Sequence, residues 1–317
     1  MLRASMAPAN VVSTTASTKT SVLLVIAAAA LWSTGGVGVK VADAEPLVIA
    51  GLRSVFALVF MFGVVAVRLR GRLGVVTRLL GRPLVWAAAA SYALMVVTFV
   101  LSARRTTAAN AIFIQYTGPV YVAMLSGPLL GEKPSRRDLF AIVFCVIGMA
   151  LTFGGELGGG RAAGNALAIL SSFGFAGLPL LLRVDQKRID PALAADAPLV
   201  AMSLGNALAA VVAAPAMIAH PPSGPAQART LVVLLLLGTF QIGLPYVLYG
   251  IAVRRLRALD SSLIATIEPV LSPIWVLIAT GERPSVMAAA GGATIVGAVV
   301  IQTLGKRQAD PERARQG

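Results

Sequence analysis

The chain has 317 residues, of which 57% are hydrophobic and 13% charged, with a mean hydropathy of +0.83. Soluble domains carry about 45–50% apolar and about 25% charged residues, so a water-facing surface is excluded here for want of polar groups to cover it. The net charge of +14 would suit nucleic acid, but the Lys and Arg residues stand in short clusters between long apolar runs, as in the loops of an all-α integral membrane protein.

A bilayer core takes roughly 20 apolar residues per helix. Read with that window, the sequence predicts ten transmembrane helices at 21–41, 46–67, 84–103, 107–130, 138–154, 162–182, 195–219, 230–252, 258–280 and 286–304. Residues 1–20 and 305–317 read as polar tails. Val22–Leu31 has the look of a signal-peptide core, but the apolar run continues past Trp32 to Val41, too long for that role. The loops are too short to hold a soluble domain. Cys145 and His220 are the only residues of their types, which leaves no disulfide framework and no metal cluster.

Orientation follows from Lys and Arg counted over alternate loops. Twenty of the 27 fall in one class of segment, led by Arg68, Arg70, Arg72, Arg78 and Arg82; six fall in the other. Both termini belong to the richer class, so both are predicted to be cytoplasmic.

The chain repeats itself. The fourth span ends in Gly131-Glu132-Lys133-Pro134-Ser135 and the ninth in Gly281-Glu282-Arg283-Pro284-Ser285, 150 residues on. The same offset relates Pro119 to Pro269 and Arg104-Arg105 to Arg254-Arg255. Two five-helix halves follow, 21–154 and 162–304. Because five is odd, the second half enters the bilayer from the opposite side. Inverted repeats of this kind build secondary transporters, whose substrate site lies near the midplane between the halves; some channels share them. The turns themselves have a local cause, since Gly ends a helix and Pro cannot continue one.

An aliphatic span with Pro in its middle, ending in Gly-Glu-X-Pro and present twice in ten helices, resembles the EamA family of the drug/metabolite transporter superfamily. Trp32, Arg53 and Glu268-Pro269 support the resemblance, which covers about 21–304. It implies spans one to four and six to nine around a central cavity, with five and ten outside. It also implies alternating-access transport of small metabolites such as amino acids, outward in the reading adopted here. The driving force would be a substrate or proton gradient rather than ATP, and the sequence holds no phosphate-binding loop.

Arg53 and Glu268 are the two ionisable groups placed well inside the hydrocarbon. A charge at that depth costs roughly 2.5–3.5 kcal/mol, so each must face a partner or a cavity. Their depths, about 10 Å from one face and about 15 Å from the other at 1.5 Å per residue, let them pair or flank one water-filled cavity. Either a strut or gate, or direct contact with substrate or proton, fits the residues alone. Ser261, Glu268, Ser272 and Trp275 share one helical face, as cavity lining or as packing contacts. Pro119 and Pro269 free backbone carbonyls in mid-span, as hinges or as packing kinks. Trp32, Tyr92, Gln115, Tyr116, Phe173, Gln241, Tyr246 and Tyr249 are the candidate specificity elements, with Trp32 and Phe173, at matching repeat positions, the preferred cavity walls. Gly291, Gly292 and Gly297 suit close helix contact or a homodimer face.

An enzyme would need a nucleophile–base or metal constellation, which the residues do not offer. The expected partners are the lipid bilayer, a small-molecule substrate and protons, with no cofactor. A pump for cationic drugs is the nearest alternative, but its acidic residue in the first span is absent from 21–41. A non-transporting scaffold or channel is the other. Arg outnumbers Lys 22 to 5, which points to a GC-rich bacterial genome and an inner-membrane location.

Overall fold

A computed structural model describes residues 18–70, 72–106, 108–153, 162–280 and 285–309. Residues 1–17 and 310–317 of the predicted tails, the segment joining the halves and the second Gly-Glu-X-Pro turn lie outside the described residues, while 18–20 and 305–309 belong to the first and last helices. Among the described residues the regular structure is wholly helical. The elements are α1 (Thr18–Trp32), α2 (Gly35–Val41), α3 (Pro46–Arg68), α4 (Leu73–Leu80), α5 (Pro83–Arg105), α6 (Ala108–Gln115), α7 (Gly118–Leu130) and α8 (Arg136–Phe153). The second half has α9 (Ala162–Gln186), α10 (Pro191–Ala194), α11 (Ala197–Ala219), α12 (Gln227–Leu236), a π-helical turn (Leu237–Gly243), α13 (Leu244–Ala252), α14 (Ala258–Ala265), α15 (Ile267–Thr280) and α16 (Val286–Ala309).

Six of these helices are long and apolar enough to cross a membrane: Pro46–Arg68, Pro83–Arg105, Ala162–Gln186, Ala197–Ala219, Gln227–Ala252 and Val286–Leu304. The other four predicted spans differ from that standard for visible reasons. Helix α8 is 18 residues long and begins with Arg136, Arg137 and Asp138. Spans one, four and nine are each broken in two. Pro46 and Pro83 open their helices, where a missing N–H costs nothing. Gly131 closes α7 in the left-handed region (φ 68), with its N–H on the Gly127 carbonyl and that of Glu132 on Ser126, as the turn reading predicts.

The three breaks share a device. At Ser33-Thr34, Thr117 and Thr266 a hydroxyl turns back onto the carbonyl three residues earlier: Thr34 on Leu31 (2.7 Å), Thr117 on Ile114 (2.6 Å), Thr266 on Leu263 (2.6 Å). In spans four and nine a proline follows at once. Pro119 and Pro269 lie in the first turns of α7 and α15, and each lacks the N–H that would carry the helix across the break. The break in span one and the π-helical turn in span eight have no such marker and are not predicted from sequence.

Packing interleaves the halves. Helix α5 lies along α9, α3 along α11, α8 along α16 and α1 along α13, each pair drawing one helix from each half. Glycine allows the closest approaches. A Cβ on Gly291 would stand 2.4 Å from the Gly148 carbonyl oxygen, so α8 and α16 meet backbone to backbone. Gly291 is therefore used within the chain, and a Cβ on Gly292 would meet Val270.

Candidate functional site

The broken helices and the π-helical turn converge on a cavity of about 80 Å³, room for several water molecules. Nine of the sequence-selected residues line it: Trp32, Arg53, Gln115, Tyr116, Gln241, Tyr246, Tyr249, Ser261 and Glu268. Removing the N–H at Pro119 and Pro269 deprives the carbonyls of Gln115 and Ala265, four residues earlier, of their helical donors. Both of those residues line the cavity.

Arg53 comes from the middle of α3 and is 4% exposed. Its Nη1 donates to Gln241 Oε1 at 3.4 Å, and its Nε is buried without a partner. Gln241 sits in the π-helical turn, and its Nε2 donates to the carbonyl of Trp32 at 3.1 Å, the last residue before the first break. A Cβ at position 35 would stand 2.6 Å from that Nε2, so Gly35 is what lets the amide approach. One amide thus joins Arg53 to the broken end of α1.

Glu268 stands at the break between α14 and α15 and accepts the hydroxyl hydrogen of Tyr116, which stands at the break between α6 and α7. Arg53 and Glu268 line the same cavity, and no ion pair joins them among the described residues. Gln115 Nε2 donates to Ser171 Oγ (2.9 Å), which donates on to the Met95 carbonyl (3.0 Å), fixing the end of α6 to α9 and α5.

The aromatic wall is built from Trp32, whose ring centroid lies 4.9 Å from Tyr246 and 5.7 Å from Tyr249. Tyr249 and Ser261 hydroxyls lie 3.2 Å apart. The indole N–H of Trp32 is buried with no partner. Across the first break, Trp275 Nε1 donates to Ser33 Oγ at 2.7 Å.

Three selected residues lie elsewhere. Tyr92 is fully buried behind the wall, edge-on to Tyr246 at 4.7 Å, with its hydroxyl on Asn206 Oδ1. Phe173 is 49% exposed on the outside of α9 and stacks on Tyr121, while Phe175 takes the cavity position. Ser272, one turn beyond Glu268 in α15, does not line the cavity. Phe99, Ser262 and Leu178 line it and are not singled out by sequence, since nothing separates an apolar or small cavity residue from a packed one.

The sequence profile of the EamA-like transporter family matches the chain twice, over residues 19–154 and 162–304. The chain belongs to the EamA-like transporter family. It is a multi-pass membrane transporter of the drug/metabolite type, from a family of transporters and not of enzymes. No curated protein sequence matches it. A solved structure described only as "Crystal structure of protein" superposes with a TM-score of 0.74 at 18% identity, covering 91% of this chain and 98% of the other. At that identity the likeness speaks for the fold alone.

Proposed function

We propose that this EamA-like protein is a secondary-active exporter of small amino-acid-like metabolites, working by alternating access. The observation that carries the reading is that Arg53 and Glu268 face one cavity without pairing with each other. Two opposite charges left apart in a buried space match a ligand that brings both a carboxylate and an ammonium group. Arg53 Nε, buried without a partner, supplies the donor for the carboxylate, and a planar guanidinium suits it well. Glu268 supplies the acceptor for the ammonium group. Trp32, Tyr246, Tyr249 and Phe175 would pack the ligand's side chain. The free indole N–H of Trp32 is a further donor.

In the same reading the chain crosses the membrane ten times as two inverted five-helix repeats, 21–154 and 162–304, with both termini cytoplasmic in a bacterial inner membrane. The broken spans support it, since half-helices meeting at mid-membrane are how secondary transporters expose backbone groups to a substrate. A proton gradient is the candidate driving force. A pump for cationic compounds is less well supported, because Arg53 would repel its substrate.

The test is competition. In proteoliposomes, an amino acid should inhibit counterflow at least about tenfold better than its decarboxylated amine or its deaminated acid, the factor expected from about 1.4 kcal/mol for one charged contact. Equal inhibition by the amine would remove Arg53 from the binding account.

A further inference from the structure

Among the described residues the ion pairs are distributed unevenly between the two ends of the bundle. At the Arg-rich end, Arg68 meets Asp196 at 2.5 Å and Arg82 meets Asp185 at 2.6 Å. Glu132 meets Arg183 and Lys187 at 3.1 and 3.0 Å, and Arg257 meets Asp138 at 2.8 Å. Every one of these pairs joins a residue of the first half to a residue of the second. The acids are shielded: Asp185 and Asp196 are 2% exposed and Asp138 fully buried. Gln302 Nε2 bridges Asp138 and Asp260 at 2.9 Å each, so α8, α14 and α16 are tied at one point. Burial works against the charge on Arg257, but its hydrogen bonds with Asp260 and Asp138 outweigh it and raise the guanidinium above its ordinary value.

The opposite end is held differently. The ion pair described there, His220 with Glu45 at 3.1 Å, is open to solvent on both sides. Other cross-half contacts among the described residues there are neutral or weak: Ser102 to the Gly164 carbonyl (2.8 Å), Thr106 to Asn165 (2.8 Å) and the Asp43 N–H to Thr230 (3.4 Å). Solvent screens an exposed pair, whereas separating a buried acid from its Arg leaves an uncompensated charge. Two inverted copies of one unit would carry the same devices at both ends. Here the repeat carries Glu132 over as Glu282, but the residue 150 positions beyond Arg68 is Ile218, and that beyond Asp138 is Ala288.

One further detail separates these pairs from permanent struts. Asp185 Oδ2, Asp196 Oδ2 and Glu132 Oε2 are buried with no hydrogen-bond partner. Asp185 and Glu132 are each held by one oxygen only, and the second oxygen of Asp196 has just the distant Arg72 Nη1 at 3.8 Å, so at these three acids the closed arrangement is not fully satisfied, whereas both oxygens of Asp138 are bonded.

We propose that these cross-half ion pairs form a latch that closes the Arg-rich end of the transporter at rest. Transport requires the latch to part and reform, and the charge asymmetry sets which side the resting cavity serves. The inference rests on the transporter reading, and its test needs no substrate.

Cys145 is the chain's single cysteine and is buried, so Cys145→Ser gives a cysteine-free full-length background. Into it goes Phe175→Cys, a reporter at a half-buried position of the cavity wall. A membrane-impermeant maleimide is applied to right-side-out and to inverted vesicles. The latched protein labels from the side opposite the Arg-rich end. Adding Asp185→Asn with Asp196→Asn should raise labelling from the Arg-rich side about tenfold and lower it from the other. The charge swap Arg82→Asp with Asp185→Arg should restore the latched pattern, which a purely packing role for these residues would not do. Unchanged labelling in the neutralised variant, or equal labelling from both sides in the latched protein, would overturn the proposal. Should the double neutralisation prevent folding, Asp185→Asn alone and the swap carry the same comparison. An absence of flux beside an intact latch response would overturn the substrate reading and leave the latch standing.

Discussion

Tyr116 donates its hydroxyl hydrogen to Glu268, and each of the two residues stands at the break of its own helix. They come from opposite halves and from spans related by the repeat, so a single hydrogen bond ties the two breaks together. The repeat does not duplicate it: 150 residues beyond Tyr116 is Thr266, and the residue matching Glu268 is Gly118. The bond therefore belongs to this chain's use of the fold and not to the fold's symmetry.

Loss of that bond should be felt in stability before any substrate is added. Tyr116→Phe leaves a buried carboxylate without its donor and should cost about 1–3 kcal/mol, read as a lower unfolding temperature in detergent. Glu268→Gln restores a neutral partner for the cavity. The Tyr116→Phe, Glu268→Gln pair should therefore cost less than the sum of the two singles. Strict additivity would mean the two side chains act independently.

Gln241 is the second such joint. Gln241→Leu removes the acceptor for Arg53 and the donor for the Trp32 carbonyl together, for an expected loss of about 2–4 kcal/mol. Gln241→Glu keeps the acceptor for Arg53 and should recover part of it. A leucine variant as stable as the parent would mean that water replaces the amide at both ends.

The aromatic positions show what a single sequence reveals of such a site. Arg53, Glu268 and the polar or aromatic residues of spans one, four and eight could be selected because burying a charge or a hydroxyl in lipid demands a reason. The wall on α9 could not. Aligning the halves sets Phe173 opposite Trp32, but Trp32 ends a broken helix and α9 runs on unbroken. Phe173 then faces outward, and Phe175, about 200° round the helix, faces in. The all-helical membrane character was legible from hydropathy, six of the ten predicted spans being helices long and apolar enough to cross a membrane, and the kinks near Pro119 and Pro269 were legible from proline chemistry. The break at Ser33-Thr34 carries only local hydroxyl-to-carbonyl bonds, which Ser and Thr also make in unbroken helices, and the π-helical turn leaves no local mark.

That difference gives a direct comparison. Phe175→Ala should alter transport affinity or selectivity, while Phe173→Ala on the outer face should leave both within about twofold, as for a surface change. Equal effects of the two substitutions on uptake kinetics would remove Phe175 from the wall.

Helix α16 tests the packing account away from the cavity. Gly291→Val forces side-chain atoms into the Gly148 backbone and should destabilise by about 1–3 kcal/mol, with little change in substrate selectivity. A thermal unfolding scan beside a competition assay separates the two effects. Retention of the parental unfolding temperature would contradict the close contact of α8 with α16.

The central claim is that a saturable carrier works through Glu268. The most direct measurement is counterflow in proteoliposomes loaded with labelled amino acids, aromatic and small neutral ones first, with and without a pH gradient. The account predicts saturable exchange in the parent and its loss in Glu268→Gln, with the folded yield unchanged. Flux that rises linearly with concentration, or exchange indifferent to Glu268→Gln, would contradict it.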